Sequence, residues 1–165
     1  FRATAMSTTR RVRVTKRTTL EIAHALRDHD GLCRHIHGHS YVLDVSVTGD
    51  LLDRAGDPKA GMVIDFSELK TLVQRQVVDH YDHALVLHAA DRGAINTDHP
   101  LFARTRFTSW PPTCENLLLD MVARINAHMP RNARLSHVRL QETATSWAEW
   151  DASGSTTTTP HDRES

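Results

Sequence analysis

The chain has 165 residues, with 20 Lys plus Arg set against 20 Asp plus Glu, so it carries no net charge while its histidines are neutral. That length buries one substantial core or at most two. The charge balance removes the general electrostatic pull that draws basic proteins to nucleic acid or to membranes, so neither is expected as a partner. Histidine is the anomaly: there are twelve, and below about pH 6 their protonation turns the chain strongly positive. The two cysteines, Cys33 and Cys114, are far apart and follow no secretory apolar segment. They read as free thiols in a reducing, cytoplasmic compartment. No apolar run approaches the roughly 18 residues that span a bilayer.

Phe1 to Ala5 read as vector sequence or an upstream extension, with Met6 as a start, and residues 1–10 as a disordered N-terminus. The segment up to Leu20 lacks acidic residues and is rich in Arg and Thr, superficially like an organelle transit peptide. Val12, Val14, Leu20 and Ile22 already keep the period of a strand over about 11–25, and the strand is preferred. His24 falls in that apolar phase. A histidine ending an apolar strand face is ordinarily a core residue with a satisfied hydrogen bond; here it is also an imidazole pointing inward at a strand end.

Asp28, His29, Asp30 and Gly31 form a loop that leads to Cys33, His35, His37, Gly38 and His39. From Tyr41 onward the chain alternates, with Tyr41, Leu43, Val45 and Val47 on one face. Extending that phase backwards puts His37 and His39 on the apolar face, two imidazoles at i and i+2 that can share one metal ion. Gly38 between them leaves room for a neighbouring backbone. Cys33 is a candidate thiolate beside a cationic centre.

Residues 49–61 form a connection, Met62, Val63 and Ile64 a short apolar strand, and Asp65 to Glu68 a capping box. The helix after it presents Phe66, Leu69, Leu72, Val73 and Val77 on one face. Asp82 and His83 follow: either exposed charge or, turned inward, an oriented proton relay. Residues 89–99 read as a polar loop and 104–110 as a strand. Pro111 and Pro112 stop that strand and Thr113 caps a second helix, with Leu118, Met121, Val122, Ile125 and Met129 along one side. Cys114 is a packing residue, and Glu115 favours the positive helix end. The last clear strand covers about 135–143, where Val138, Leu140 and Glu142 share a phase. That directs a carboxylate inward, where it requires a partner. Trp147 and Trp150 cap a sheet or an interface, and 153–165 reads as a disordered tail.

Four inward polar groups therefore sit at strand ends: His24, His37, His39 and Glu142. Three imidazoles with one open position are the arrangement of a catalytic zinc, since a structural zinc fills its fourth place with protein. Such a zinc is a Lewis acid for hydroxyl or carbonyl oxygens, with Cys33 moving protons.

In order, His24, Cys33-x3-His37-Gly38-His39, Gly61-Met62-Val63-Ile64-Asp65-Phe66, Asp82-His83, Pro112-Thr113-x-Glu115-Asn116 and Glu142-Thr143 resemble the 6-pyruvoyl-tetrahydropterin synthase / 6-carboxy-tetrahydropterin synthase family. The resemblance covers about residues 15–143 and makes 11–152 one tetrahydropterin synthase domain. It implies an α+β tunnelling fold (T-fold): an antiparallel sheet with two helices on one face, assembled into a homo-oligomeric barrel, commonly a hexamer, with active sites at subunit interfaces. It implies that His24, His37 and His39 bind zinc, and that Cys33, with Asp82 and His83, moves protons on the substrate side chain. Glu142 would anchor the pterin ring, with Thr113 and Glu115 as weaker substrate-binding candidates.

The implied substrate is 7,8-dihydroneopterin triphosphate. The expected activity is a lyase of the 6-carboxytetrahydropterin synthase type, which serves queuosine biosynthesis and releases acetaldehyde and triphosphate. The alternatives are 6-pyruvoyl-tetrahydropterin synthase and a non-catalytic zinc- or pterin-binding module. Two departures stand out: Leu20 replaces the usual Phe, and the stretch 88–110 is longer than in compact bacterial members. No Glu accompanies Cys33 before His37, which argues against the subgroup that makes a hydroxymethyl-dihydropterin.

Overall fold

Two fourteen-residue strands, β1 (Arg11–His24) and β2 (His37–Asp50), form one antiparallel ladder that runs in register from Arg11↔Asp50 to His24↔His37. The structure is a computed structural model that describes residues 11–152, so the expected irregular segments 1–10 and 153–165 lie outside the described residues. Strand alternation divides the ladder cleanly. Leu20, Ile22, Tyr41, Leu43, Val45 and Val47 are buried on one side, while Arg17, Glu21, Ser40 and Asp44 occupy the other. Gly38 lies opposite Ala23, and a Cβ there would come within 3.2 Å of the Ile22 carbonyl oxygen. The expected close backbone approach is therefore present.

The remaining strands are β3 (Ala84–His88), β4 (Thr105–Thr108), β5 (Arg134–Thr143) and β6 (Ser146–Asp151), and the sheet order is β4-β3-β1-β2-β5-β6. The four strands β1, β2, β5 and β6 pair antiparallel, as expected. On the far edge β3 joins β1 in parallel and β4 joins β3 in parallel, so the whole sheet is mixed. Trp147 and Trp150 belong to β6, an edge strand that the aromatic pair alone did not reveal; Trp150 packs on the core and Trp147 stays exposed.

The helices cover one face. Helix α1 (Phe66–Val73) continues through a π-helical turn at Gln74–Val78 into α2 (Asp79–Tyr81), and α3 is Cys114–Asn126. Leu69, Val73, Val77, Leu117, Leu118, Met121 and Ile125 pack with the apolar sheet face into a single core. Each fully buried side chain of this kind contributes about 1.5–3 kcal/mol relative to exposure.

Asp65 caps α1 through the Ser67 N–H at 2.7 Å, and Thr113 caps α3 through the Asn116 N–H at 3.3 Å. The capping box is only half made, because Glu68 pairs with Lys59 instead. Two other expectations are corrected. Residues 62–64 form no strand: Leu52 exchanges backbone hydrogen bonds with Gly61 and Met62, and Val63 and Ile64 are buried from a loop. Phe66, in the first turn of α1, is 54% exposed, and within α1 only Leu69 and Val73 of the expected apolar face are buried.

Candidate metal and substrate site

The last pair of the β1–β2 ladder creates the site. His24 and His37 are opposite each other, and His39 is opposite Ile22, so all three imidazoles leave the sheet on its apolar side. Directly opposed side chains on one sheet face are near neighbours by geometry alone. The ring centroids are 4.5 Å apart for His24 and His37, 5.0 Å for His37 and His39, and 5.3 Å for His24 and His39. One nitrogen from each lies within 4.8 Å of the others.

Backbone carbonyls orient two of the rings. His24 Nδ1 lies 2.7 Å from the Pro112 carbonyl oxygen and His37 Nδ1 lies 2.8 Å from that of His35. A carbonyl only accepts, so both rings carry their proton on Nδ1 and turn an Nε2 lone pair inward. That is how a neighbouring acceptor commonly fixes a metal-binding histidine. His24 Nε2 is buried and has no hydrogen-bond partner among the described residues. Leaving such an atom unpaired is costly unless something binds it. Burial, ahead of the pull of the Pro112 carbonyl, holds the His24 imidazole below its ordinary pKa, which keeps it neutral and able to donate to a metal. The donor set and the orphaned nitrogen thus fit a zinc ion held by three imidazoles.

Glu142 meets the triad, as its phase predicts. Its Oε1 is 3.8 Å from His24 Nε2 and 3.9 Å from His39 Nε2, and it accepts a hydrogen bond of 2.8 Å from the Tyr41 hydroxyl. Burial, followed by this bond, pushes the Tyr41 phenol far up its range, so it stays a donor. Sequence reasoning put Tyr41 in the apolar set and missed its polar end. Its phase, two residues after His39, was the available signal. Cys114 is buried with its thiol on the Leu140 carbonyl, and burial pushes its pKa up to about 12. It is a packing residue, as expected. Glu115 is exposed in the first turn of α3. Thr113 is half-buried and lines a cavity of about 210 Å³ with Pro112, His88, His29 and Arg27.

Cys33 lies half-buried in a 3₁₀ turn (Leu32–Arg34) between β1 and β2, tied back by its carbonyl to the Leu26 N–H at 2.9 Å. Asp82 and His83 occupy a different place. His83 Nδ1 donates to Asp82 Oδ2 at 2.9 Å, while Asp82 Oδ1 accepts from the Glu21 N–H at 2.9 Å. Burial raises the Asp82 carboxyl, but the Glu21 N–H and the His83 ring outweigh it and leave the pKa below its usual value. His83 lines a cavity of about 370 Å³ with Glu21, Ala23, Gly38, Ser40 and Arg104. Glu21, Ala23, Gly38 and Ser40 alternate with the triad and put the His83 side of this cavity on the opposite sheet face, while its lining also takes in Ile22 and His39 of the ladder itself. Among the described residues no hydrogen bond links the Cys33 thiol to Asp82 or His83.

Comparison with known proteins agrees with this geometry. Residues 13–153 match the family described as 6-pyruvoyl tetrahydropterin synthase. The chain is 33% identical to the 6-carboxy-5,6,7,8-tetrahydropterin synthase of Haemophilus influenzae, over 84% of this chain and 97% of that protein. Among solved structures, an uncharacterised protein of Wolinella succinogenes superposes with a TM-score of 0.70 at 18% identity, covering 86% of this chain and 98% of that one. The 6-pyruvoyl tetrahydropterin synthase of Caenorhabditis elegans superposes with a TM-score of 0.62 at 25% identity, covering 86% and 96%. The curled mixed sheet with helices on one face is the tunnelling fold of these neighbours.

Proposed function

The chain belongs to the 6-pyruvoyl tetrahydropterin synthase family, and from that premise we propose that it is a zinc-dependent 6-carboxy-5,6,7,8-tetrahydropterin synthase. The reaction would convert 7,8-dihydroneopterin triphosphate to 6-carboxytetrahydropterin with release of acetaldehyde and triphosphate, for queuosine and related 7-deazapurines. The observation that carries the reading is the convergence of three imidazoles, one with a buried, unpartnered Nε2, beside a carboxylate held by Tyr41.

In this reading His24, His37 and His39 hold the metal. Zinc bound there would supply a Lewis acid for the oxygens of the substrate side chain. Glu142, held by the Tyr41 hydroxyl, presents its free carboxylate edge to the amino and ring N–H groups of the pterin. Thr113 and Glu115, at the start of α3, flank that ring. Cys33 takes and returns a proton on the side chain, and the Asp82–His83 pair relays it.

The dyad opens on the sheet face opposite its own triad, so we place it in the site of a neighbouring copy within a homo-oligomer, a hexamer by family precedent. Mixing His24→Ala subunits with His83→Ala subunits, each inactive alone, should restore part of the turnover. No recovery in verified mixed oligomers would break the shared-site arrangement. The two free thiols favour a cytoplasmic setting; among the described residues no helix is long and apolar enough to cross a membrane.

The second reading is 6-pyruvoyl-tetrahydropterin synthase, supported by the name of the Caenorhabditis elegans neighbour. Mass spectrometry of the products from 7,8-dihydroneopterin triphosphate separates the two. Acetaldehyde with a 6-carboxy product is expected; a 6-pyruvoyl product without acetaldehyde overturns the first reading. A non-catalytic binder would yield neither. The presence of Cys33 and of an oriented Asp82–His83 pair argues against that, since binding alone requires no proton relay.

A further inference from the structure

The corner that carries Asp82 and His83 is unusual in three respects. His83 is the one non-glycine residue among those described with a positive φ, at 58°, a left-handed conformation that is uncommon for a residue with a side chain. It follows Asp82, the C-cap of α2, at a helix end where carbonyls lack intrahelical partners. It also lies at the end of a run that has already left α-helical register, in the π-helical turn Gln74–Val78.

Two arginines flanking Thr105 in the edge segment that forms β4 are laid across this corner. Arg104 places Nε at 3.1 Å and Nη2 at 2.6 Å from the Asp82 carbonyl oxygen, and Nη2 also reaches the Asp79 carbonyl at 3.4 Å. Arg106 places Nε at 3.2 Å from the His80 carbonyl oxygen. Cations and N–H donors at a helix C-terminus are favourable on both electrostatic and hydrogen-bonding grounds.

The two arginines do different things. Arg106 holds a carbonyl inside the helical turn. Arg104 forks on the carbonyl of Asp82 itself, the peptide unit that joins Asp82 to His83. From the other side, β1 grips the same corner: the Glu21 N–H donates to Asp82 Oδ1, and the His83 N–H donates to the Glu21 carbonyl at 2.7 Å. Asp82 thus has its carboxylate fixed by β1 and His83, and its carbonyl fixed by Arg104. Rotation of the Asp82–His83 peptide, the motion that would swing the imidazole away, breaks both Arg104 bonds to Asp82. Arg104 comes from the stretch 88–110, which the family resemblance marks as longer than usual and, with Arg104 and Arg106, near the substrate triphosphate, with no role given to either arginine.

We infer that Arg104 is a positioning residue, which locks the Asp82–His83 peptide in its left-handed corner and so aims the His83 imidazole. This deepens the proposed function and rests on its reading of Asp82 and His83 as the proton relay. Arg104 is not assigned any contact with substrate.

The test uses full-length oligomer carrying Arg104→Ala, Arg104→Lys or Arg106→Ala, with equal zinc content and oligomeric state checked first. Turnover of 7,8-dihydroneopterin triphosphate should show kcat reduced about ten- to a hundredfold in Arg104→Ala, the size of loss that misplacing a catalytic group brings. KM should stay within about twofold of wild type by the logic of an interaction that does not bind substrate. Arg104→Lys, which restores one donor to the carbonyl, should recover part of kcat. Arg106→Ala should lower the unfolding temperature comparably and leave kcat nearly unchanged. A rise in KM with kcat intact would make Arg104 a substrate contact, and equal kcat losses in Arg104→Ala and Arg106→Ala would make it merely structural; either result overturns the inference.

A second readout does not depend on the reaction. In long-range proton–nitrogen spectra of histidine-labelled protein, with the His83 signals assigned by their loss in His83→Asn, the Nδ1-protonated tautomer should dominate in wild type. It should lose population in Arg104→Ala but not in Arg106→Ala. An unchanged His83 spectrum in Arg104→Ala overturns the proposal even where turnover cannot be measured. Absence of turnover in wild type alongside the expected spectral change condemns the functional reading and leaves the positioning role standing.

Discussion

The two polar constellations of this chain are built in opposite ways. The triad of His24, His37 and His39 is a by-product of regularity: two strands in register, one apolar phase, three imidazoles at its end. The Asp82–His83 corner is a product of irregularity, with a left-handed residue, a π-helical turn and arginines fastening exposed carbonyls. A metal site requires several donors at short, fixed distances, and a ladder provides these without strain. A proton relay requires one ring at one angle, which a corner can provide once its backbone is locked.

If that contrast holds, damage to the triad should be all-or-none. His24→Ala should remove stoichiometric zinc and essentially all turnover, while the oligomer stays largely folded; elemental analysis and size-exclusion chromatography measure both. Zinc retained at one equivalent in His24→Ala would mean that the ladder end is not the metal site.

Glu142 tests where the triad stops and substrate recognition begins. Glu142→Gln keeps an oxygen for the Tyr41 hydroxyl but turns the other acceptor, the one proposed to meet the pterin, into a donor. Substrate binding should weaken by roughly 2–4 kcal/mol, the cost of mispairing a charged hydrogen bond at a half-buried carboxylate. Zinc content should not change, and calorimetry alongside a metal assay reads the two separately. Zinc loss in Glu142→Gln would move this carboxylate, 3.8 Å from His24 Nε2, from substrate anchor to metal ligand.

The ladder's own regularity is open to a smaller perturbation. Gly38→Ala places a methyl about 3.2 Å from the Ile22 carbonyl oxygen, and overpacking of that kind costs about 1–3 kcal/mol. Chemical denaturation should show that loss, with weaker zinc retention if the His37–His39 spacing is disturbed. No change in either would show that the ladder end has slack.

The smallest effect is on the corner side. Burial, with Arg124 and Arg106 adding to it, holds His80 below its ordinary pKa in the folded chain. The unfolded chain therefore binds a proton there first as pH falls below about 6.5, so this contribution to stability is present above that pH and is lost below it. His80→Asn should show a smaller drop in unfolding free energy between pH 7.5 and 5.5 than wild type. An identical drop would mean that His80 titrates alike in both states.

What the sequence determined by itself is the triad, its neighbour Glu142 and the strands that bear them. Alternation with a period of two assigns a face to every residue of a strand, so His24, His37, His39 and Glu142 could be placed inward from spacing alone. Asp65 and Thr113 were legible as caps for the same local reason. The parallel edge formed by β3 and β4, the strand β6, the exposure of Phe66 and the face on which Asp82 and His83 open were decided only by tertiary structure. So were the carbonyls of Pro112 and His35 that orient two histidines of the triad, and the Arg104 fork on Asp82. Each of these depends on which segments meet across long sequence separations, and neither periodicity nor capping chemistry carries that information. A strand's period fixes which side a residue faces, but only the packing of distant backbone decides what stands there to meet it.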